Sequence, residues 1–221
     1  MNRMKPYDVP HKGLRNALSQ VQLLAGKTDY SKFKEVERLY NLGRDVFRLL
    51  SIHAQDENEV TLAELEKRCS GCSDHDREDH EKLEKEQGAV EMLLSTIYSN
   101  VKEGKEAGLE GAEFYLLFSE YHAQYLLHTA EEERVTQAEL HKHFTDEELA
   151  EFRTKIMKRN PPETLLLWFK FVTPAQSAQE RIGLLKGFKM MAPVDFFNMG
   201  MGVMEKVLSA DEFSELKAEL V

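Results

Sequence analysis

The sequence predicts an all-α fold, an antiparallel up-down-up-down four-helix bundle with additional C-terminal helices. Apolar residues recur at steps of three and four through four long segments. Glycine and proline fall between those segments, and no stretch shows the strict alternation that indicates a half-buried strand. Long amphipathic helices joined by short connections bury their apolar stripes by packing antiparallel against one another.

The four long segments define the helices of the predicted bundle. They span residues 11–26, 31–68, 74–103 and 112–143. Pro10 lies just outside the first, as is common at helix starts. The core-facing positions of the fourth follow steps of four and three: Phe114, Phe118, Tyr121, Tyr125, His128, Glu132 and Val135. A histidine and a glutamate therefore occupy positions of the apolar stripe that are expected to be buried.

Residues 146–221 are predicted to form a helical extension that packs on a bundle of residues 1–145. Thr145 begins a capping box that starts the first helix of this extension. Residues 153–206 carry nine Lys or Arg against four Asp or Glu, so we expect this part to pack near the acidic bundle. The Met and Phe residues between 190 and 204 are suited either to a protein partner or to core packing, and core packing is favoured.

Composition restricts the class of protein. The chain has 221 residues with 42% hydrophobic content, enough for one sizeable core. A formal charge of −10 argues against a nucleic-acid partner, because phosphate binding requires a basic face. Neither a signal peptide nor a segment of membrane-spanning length is evident, so we expect a cytoplasmic protein with no membrane partner.

The two cysteines, Cys69 and Cys72, lie in a turn rich in serine and glycine. They could form a redox pair, or half of a zinc site with His75. No strand precedes them as in a thioredoxin-like fold, and no second cysteine pair completes four zinc ligands. An ordinary turn is the favoured interpretation, and a disulfide-scaffolded secreted domain is not expected.

One pattern occurs twice in the predicted bundle. The segment from His53 to Leu65 and the segment from His128 to Leu140 match at His, Glu, Val, Thr, Ala, Glu and Leu. A histidine and a glutamate four residues apart lie on one face of a helix, so each pair reaches a single point. The glutamates of the two pairs are Glu57 and Glu132.

Two further histidines, His11 and His80, each begin a His-x-x-Leu motif at the start of the helix that precedes one of these pairs. In an up-down-up-down bundle, all six side chains meet at one level. Four imidazoles and two carboxylates suit iron, zinc or manganese, and two carboxylates that can bridge indicate two metals. Iron is the favoured metal. Isolated core histidines are the alternative, but that interpretation leaves two buried carboxylates without countercharge.

The symmetry of the pattern assigns the predicted ligands. His11 and His53 are expected on one iron, His80 and His128 on the other, and Glu57 and Glu132 between them. Tyr121 and Tyr125 lie on the same stripe, where core packing is favoured over contact with a bound ligand. Gln87 is a candidate for a supporting hydrogen bond. Three histidines that fall off the stripe are expected to be exposed: His122, His141 and His143.

The pattern of His11, His53-x-x-x-Glu57, His80 and His128-x-x-x-Glu132 resembles the hemerythrin, or HHE cation-binding, family over about residues 8–145. The resemblance implies a four-helix bundle with a bridged di-iron centre held by these six residues, and activities that include dioxygen carriage, oxygen or iron sensing and repair of iron centres. Oxygen-carrying members have a fifth histidine where this chain has Glu84. That difference puts dioxygen carriage in doubt, and Glu84 is either an extra ligand or a solvated residue.

The resemblance leads to three expectations for function. The first is a non-haem di-iron protein that binds a small diatomic ligand or peroxide and acts in sensing of oxygen, nitric oxide or iron, or in iron handling. The second is a di-iron enzyme that reduces peroxide or nitric oxide, or repairs iron-sulfur centres. The third is a structural interaction module with a vestigial metal site. Metal content separates the third from the others, and turnover separates the second from the first.

Overall fold

The computed structural model of the protein describes residues 3–220, and the prediction of an all-α fold is confirmed for them, since they contain no strand. The helices are α1 (Asp8–Lys27), α2 (Phe33–Asp56), α3 (Leu62–Arg68), α4 (Asp74–Lys102), α5 (Gly108–Arg134), α6 (Thr136–His143), α7 (Asp146–Arg159), α8 (Pro162–Ala175), α9 (Ala178–Met191), α10 (Val194–Val207) and α11 (Ala210–Glu219). A π-helical turn, Glu57–Thr61, joins α2 to α3. No helix among these is both long and apolar enough to cross a membrane.

Two of the predicted helices are interrupted, and both interruptions fall at the same position of the repeat. The first copy widens into the π-helical turn that begins at Glu57. The second copy breaks at Val135, which separates α5 from α6. Each interruption contains an adjacent Val-Thr pair, and β-branched residues are poorer helix formers than the residues around them. The expectation that Val135 is buried is wrong, because its side chain is 52% exposed.

Four long helices enclose the largest apolar cluster. Contacts join α1 to α2, α2 to α4, α4 to α5, and α5 back to α1. The cluster between them includes Leu18, Leu49, Val90 and Phe118, each fully buried. At roughly 1.5–3 kcal/mol for each large apolar side chain removed from water, this cluster is a main source of the stability of the fold.

The helices after residue 145 contact the four long helices chiefly through α8. A Cβ atom on Gly13 of α1 would lie 2.5 Å from Cγ2 of Val172, so the backbones of α1 and α8 approach closely at this glycine. Phe171 of α8 belongs to the large apolar cluster and is fully buried. The predicted capping box of Thr145 and Glu148 is present at the start of α7.

Basic residues of the last helices meet acidic residues of the first ones. Lys170 lies 2.7 Å from Asp45, and Arg159 lies 3.2 Å from Asp56. These pairs place basic residues of the C-terminal part against acidic residues of α2. Because most such pairs are solvent-exposed, they contribute less to stability than the apolar contacts of α8.

The Met and Phe residues between 190 and 204 differ in burial, and Phe196, Phe197 and Met201 are partly buried. Met204 is fully buried in a small cluster built by α8 to α11, as the core interpretation predicts. The interpretation is wrong for Met190, Met191 and Met199, whose side chains are 86%, 65% and 57% exposed.

Candidate metal centre

The six predicted ligands come together at one point inside the helices. His11 and His80 lie near the starts of α1 and α4, whereas His53 and His128 lie near the ends of α2 and α5. None of the four histidines is more than 7% exposed, and the two glutamates are 3% and 0% exposed. The apolar stripes of the four helices therefore carry all six side chains into the interior.

All four histidines direct Nε2 toward the two carboxylates. Glu57 has Nε2 of His53 at 3.2 Å and Nε2 of His80 at 3.4 Å from its oxygens. Glu132 has Nε2 of His11 at 3.3 Å, of His128 at 3.4 Å and of His80 at 3.5 Å. Each carboxylate thus contacts histidines from both halves of the repeat, which is the placement that a bridging ligand requires.

The donors divide into two groups that share Glu132. One group contains His11, His53, Glu57 and Glu132, and the other contains His80, His128 and Glu132, with the donor atoms of each group within 4.8 Å of one another. The rings of His11 and His53 have their centroids 5.1 Å apart, and those of His80 and His128 are 4.8 Å apart. These are the same two histidine pairs that the repeat assigns to two separate metals.

The electrostatics of the group favour a cation. Burial tends to lower the pKa of His11, but the carboxylates of Glu132, Glu133 and Glu57 outweigh it and hold this pKa well above its ordinary value. Burial also tends to lower the pKa of His80, but the carboxylates of Glu132 and Glu57 outweigh it and raise this pKa to about 10. At His53 burial dominates and lowers the pKa to about 4. Two buried carboxylates therefore draw positive charge into the centre.

Three histidines have a second polar group at Nδ1 that the sequence did not reveal. Glu133 lies 3.0 Å from Nδ1 of His11, and Oδ1 of Asn58 lies 3.1 Å from Nδ1 of His80. Both partners directly follow a glutamate of the repeat, so its register was a signal that could have found them. At His128, Nδ1 has the carboxylate of Asp79 at 3.5 Å. Partners at the outer nitrogen fix the ring orientation and leave Nε2 free to bind metal.

Tyr7 and Asp76 are two further buried residues that the pattern of ligands missed. Each precedes a predicted histidine ligand by one helical turn. The ring of Tyr7 stacks on that of His11 with centroids 5.0 Å apart. Asp76 accepts a hydrogen bond from Oγ1 of Thr136, and burial raises the pKa of its carboxyl to about 6. Both residues pack the end of the centre and help to exclude water from it.

A cavity of about 330 Å³ reaches the centre between α2 and α4. Its lining includes His80 and Tyr125, with Glu84 among the exposed residues of the lining. The hydroxyl of Tyr121 donates a hydrogen bond to Gln87, whose amide nitrogen donates to Ser51 and Glu91, so the hydrogen bonds of Gln87 go to residues other than the predicted ligands. Glu84 belongs to neither donor group. The cavity gives a small molecule access to the His80 side of the centre.

Several residues outside the apolar stripe differ from expectation in their burial or their contacts. His122, His141 and His143 are half-buried, so the prediction that they are exposed is wrong. At His141, Nε2 lies 2.7 Å from the backbone oxygen of Met4, which precedes α1, and at His143 the end of α3 lies close because Arg68 donates to its backbone oxygen. His75 does not join the cysteines in a donor group; it lies 3.1 Å from Glu131 and 3.6 Å from Asp79. The two cysteines form a disulfide, a pairing that the favoured interpretation as an ordinary turn does not include.

No protein-family model, curated protein or solved structure matches this chain. The donor set itself is what points to a metal centre. Within residues 3–220, all four carboxylate oxygens of Glu57 and Glu132 are buried without a hydrogen-bond donor. Nε2 of His80 is likewise buried without a hydrogen-bond partner. Buried polar atoms are rarely left in this condition, and a pair of divalent cations satisfies all of them together. The residues present therefore fit a bridged two-metal site.

Proposed function

We propose that this chain is a hemerythrin-like, non-haem di-iron protein that binds two iron ions and a small diatomic ligand or peroxide. Its role in this proposal is sensing of oxygen, nitric oxide or iron, or iron handling. The observation that carries the proposal is the convergence of four Nε2 atoms on two buried carboxylates whose oxygens lack hydrogen-bond donors within the described part of the chain.

The architecture in this proposal is an antiparallel up-down-up-down bundle of α1, α2, α4 and α5, with the C-terminal helices packed on it. Two observations support it. The four helices contact one another in a closed cycle. Histidines near the starts of α1 and α4 meet histidines near the ends of α2 and α5, as they do when consecutive helices alternate in direction.

Each residue of the centre has a defined task in this proposal. His11 and His53 would hold one ion, His80 and His128 would hold the other, and Glu57 and Glu132 would supply carboxylate ligands to the pair. Bound iron supplies redox chemistry and open coordination positions. The protein keeps water away by burial and fixes three imidazoles through their Nδ1 partners.

A second candidate is an enzyme that reduces peroxide or nitric oxide, or repairs iron-sulfur centres. The cavity that reaches His80 between α2 and α4 favours it, because repeated turnover requires a path for substrate and product. The sensing role requires binding of the same ligands without sustained consumption. Rates of peroxide or nitric oxide loss with reduced protein separate the two candidates.

Elemental analysis and absorption spectroscopy test the proposed function. We expect about two iron atoms per chain after anaerobic reconstitution. We also expect new absorption bands after exposure to air, nitric oxide or peroxide. A chain that retains less than half an equivalent of iron after gel filtration, with no spectral change, is instead a structural module with a vestigial site.

The single tryptophan, Trp168, reports on the same centre. Its ring lies 6.0 Å from that of His53, close enough for a bound iron ion to quench its fluorescence. We therefore expect emission to fall as Fe²⁺ is added and to reach a plateau when the centre is full. The His53→Ala variant should lose most of this quenching. Unchanged emission from the wild-type chain at saturating iron would contradict the placement of iron beside His53.

A further inference from the structure

A second group of potential metal ligands lies outside the centre. Cys69, Glu139 and His143 each offer a donor atom, and these three atoms lie within 4.8 Å of one another. All three residues are half-buried. Cys72 is joined to Cys69 by the disulfide, so its sulfur lies beside the same group. The group therefore brings together one sulfur, an imidazole and a carboxylate from two distant segments of the chain, and the sulfur of Cys72 is bonded to the sulfur of this group.

The group is positioned by contacts that do not involve a metal. Cys69 directly follows α3, and His143 ends α6, two helices that contact each other. The guanidinium of Arg68 donates a hydrogen bond to the backbone oxygen of His143 and lies over the ring of Phe144. The ends of α3 and α6 are thus held together, and the three donor atoms lie close to one another without a metal.

We propose that Cys69, Cys72, Glu139 and His143 form a zinc-binding site that exists only when the disulfide is reduced. A dithiol reductant supplies two electrons and two protons, the S–S bond breaks, and two thiols form while the reductant becomes a disulfide. Zinc then binds as the thiols lose their protons. In the disulfide form neither sulfur carries the negative charge that a zinc ligand needs.

The donor set favours zinc over iron. Thiolate with imidazole is a combination that zinc binds in a tetrahedral arrangement of four ligands, and a carboxylate oxygen completes the set. The buried centre differs because it offers imidazoles and carboxylates alone. The spacing of the two cysteines suggested only half of a zinc site. The structure supplies the other half from α6, not from His75.

Zinc at this position would couple the cysteines to the rest of the fold. α3 follows Glu57 through the π-helical turn, and α6 follows Glu132 after the break at Val135. A metal that bridges the ends of α3 and α6 therefore ties together the two segments that follow the repeated glutamates. Oxidation of Cys69 and Cys72 to the disulfide would release the zinc and remove this link between the two segments.

Cobalt is the probe for the test, because thiolate ligands give Co²⁺ an intense near-ultraviolet charge-transfer band that imidazole and carboxylate ligands do not. The full-length chain is reduced with a dithiol, freed of reductant without air and titrated with Co²⁺. We expect the band in reduced protein and not in oxidised protein, and we expect Zn²⁺ to displace it. The buried centre lacks sulfur, so Co²⁺ bound there does not give the thiolate band.

Three ligand variants and one control variant sharpen the test. His143→Ala and Glu139→Gln should each weaken Co²⁺ binding by about 10-fold or more, and Cys69→Ser, which leaves a single thiolate, should lower the intensity of the band by about half or more. His75→Ala is the matched control, since it removes a histidine that the sequence alone places near the cysteines, and it should bind as the wild type does. The proposal is overturned if reduced protein gives no band, if His143→Ala binds with unchanged affinity, or if His75→Ala weakens binding. Circular dichroism verifies that each variant is folded.

Discussion

Replacing Glu132 by glutamine is expected to lower the bound iron from about two atoms per chain to one or none. Glu132 belongs to both donor groups, and its oxygens lie within 3.5 Å of three histidines. An amide carries no charge and cannot bridge two cations as a carboxylate does. Glu57→Ala should act in the same direction. Iron per chain is measured by elemental analysis after reconstitution and gel filtration.

Glu84→Gln is the control for this experiment. Glu84 is an exposed acid one helical turn after His80, and it lines the cavity that reaches the centre. Because it lies outside both donor groups, the variant should keep the wild-type iron content. Full iron in folded Glu132→Gln protein would refute the ligand assignment. Loss of iron from Glu84→Gln would instead show that this residue is an additional ligand.

Replacing Phe171 by alanine is expected to lower the free energy of unfolding by about 3–5 kcal/mol. Phe171 is fully buried, and it is the residue that α8 contributes to the buried part of the apolar cluster between the long helices. Its removal leaves a cavity that the surrounding helices fill only in part, because α1 already touches α8 at Gly13. Chemical denaturation followed by circular dichroism measures the change.

The fluorescence of Trp168 in α8 gives a second probe of the same unfolding transition. If residues 146–221 pack on the long helices as one cooperative unit, the two probes report the same shift in midpoint. Leu109→Ala is the control, since its side chain is 87% exposed and its loss should change stability by no more than about 0.5 kcal/mol. A shift seen only by fluorescence would mean that the C-terminal helices unfold separately.

Four of the six residues of the candidate centre were predictable because the repeat carries them, and His11 and His80 because each begins a His-x-x-Leu motif at a helix start. One helical pair of histidine and glutamate is weak evidence for a site, but two pairs in register, each on an apolar stripe, require a buried partner for both carboxylates. Their convergence in the structure follows from helix periodicity. The helix starts that place His11 and His80 at the same level could also be predicted from proline and polar residues.

Other features could not be predicted, for physical reasons. The π-helical turn after Asp56 has about one more residue per turn than an α-helix. An apolar pattern with steps of three and four is compatible with a helix that contains or lacks such a turn, so it does not predict the turn. The partner of His11 at Nδ1, Glu133, comes from α5, and its identity depends on how two helices rotate against each other. The burial of His143 depends likewise on the approach of α3 to α6. Single-helix periodicity contains none of this information.

The two helix interruptions have a mechanical consequence. A regular α-helix transmits a displacement along its length, because the same hydrogen-bond spacing ties every turn to the next. That spacing changes from Glu57 onward in one half and at Val135, just after Glu132, in the other. A small shift of either carboxylate is therefore absorbed within one turn of backbone. In the proposed centre, bound species of different size would alter the separation of the Glu57 and Glu132 carboxylates. The apolar cluster between the long helices would keep its packing.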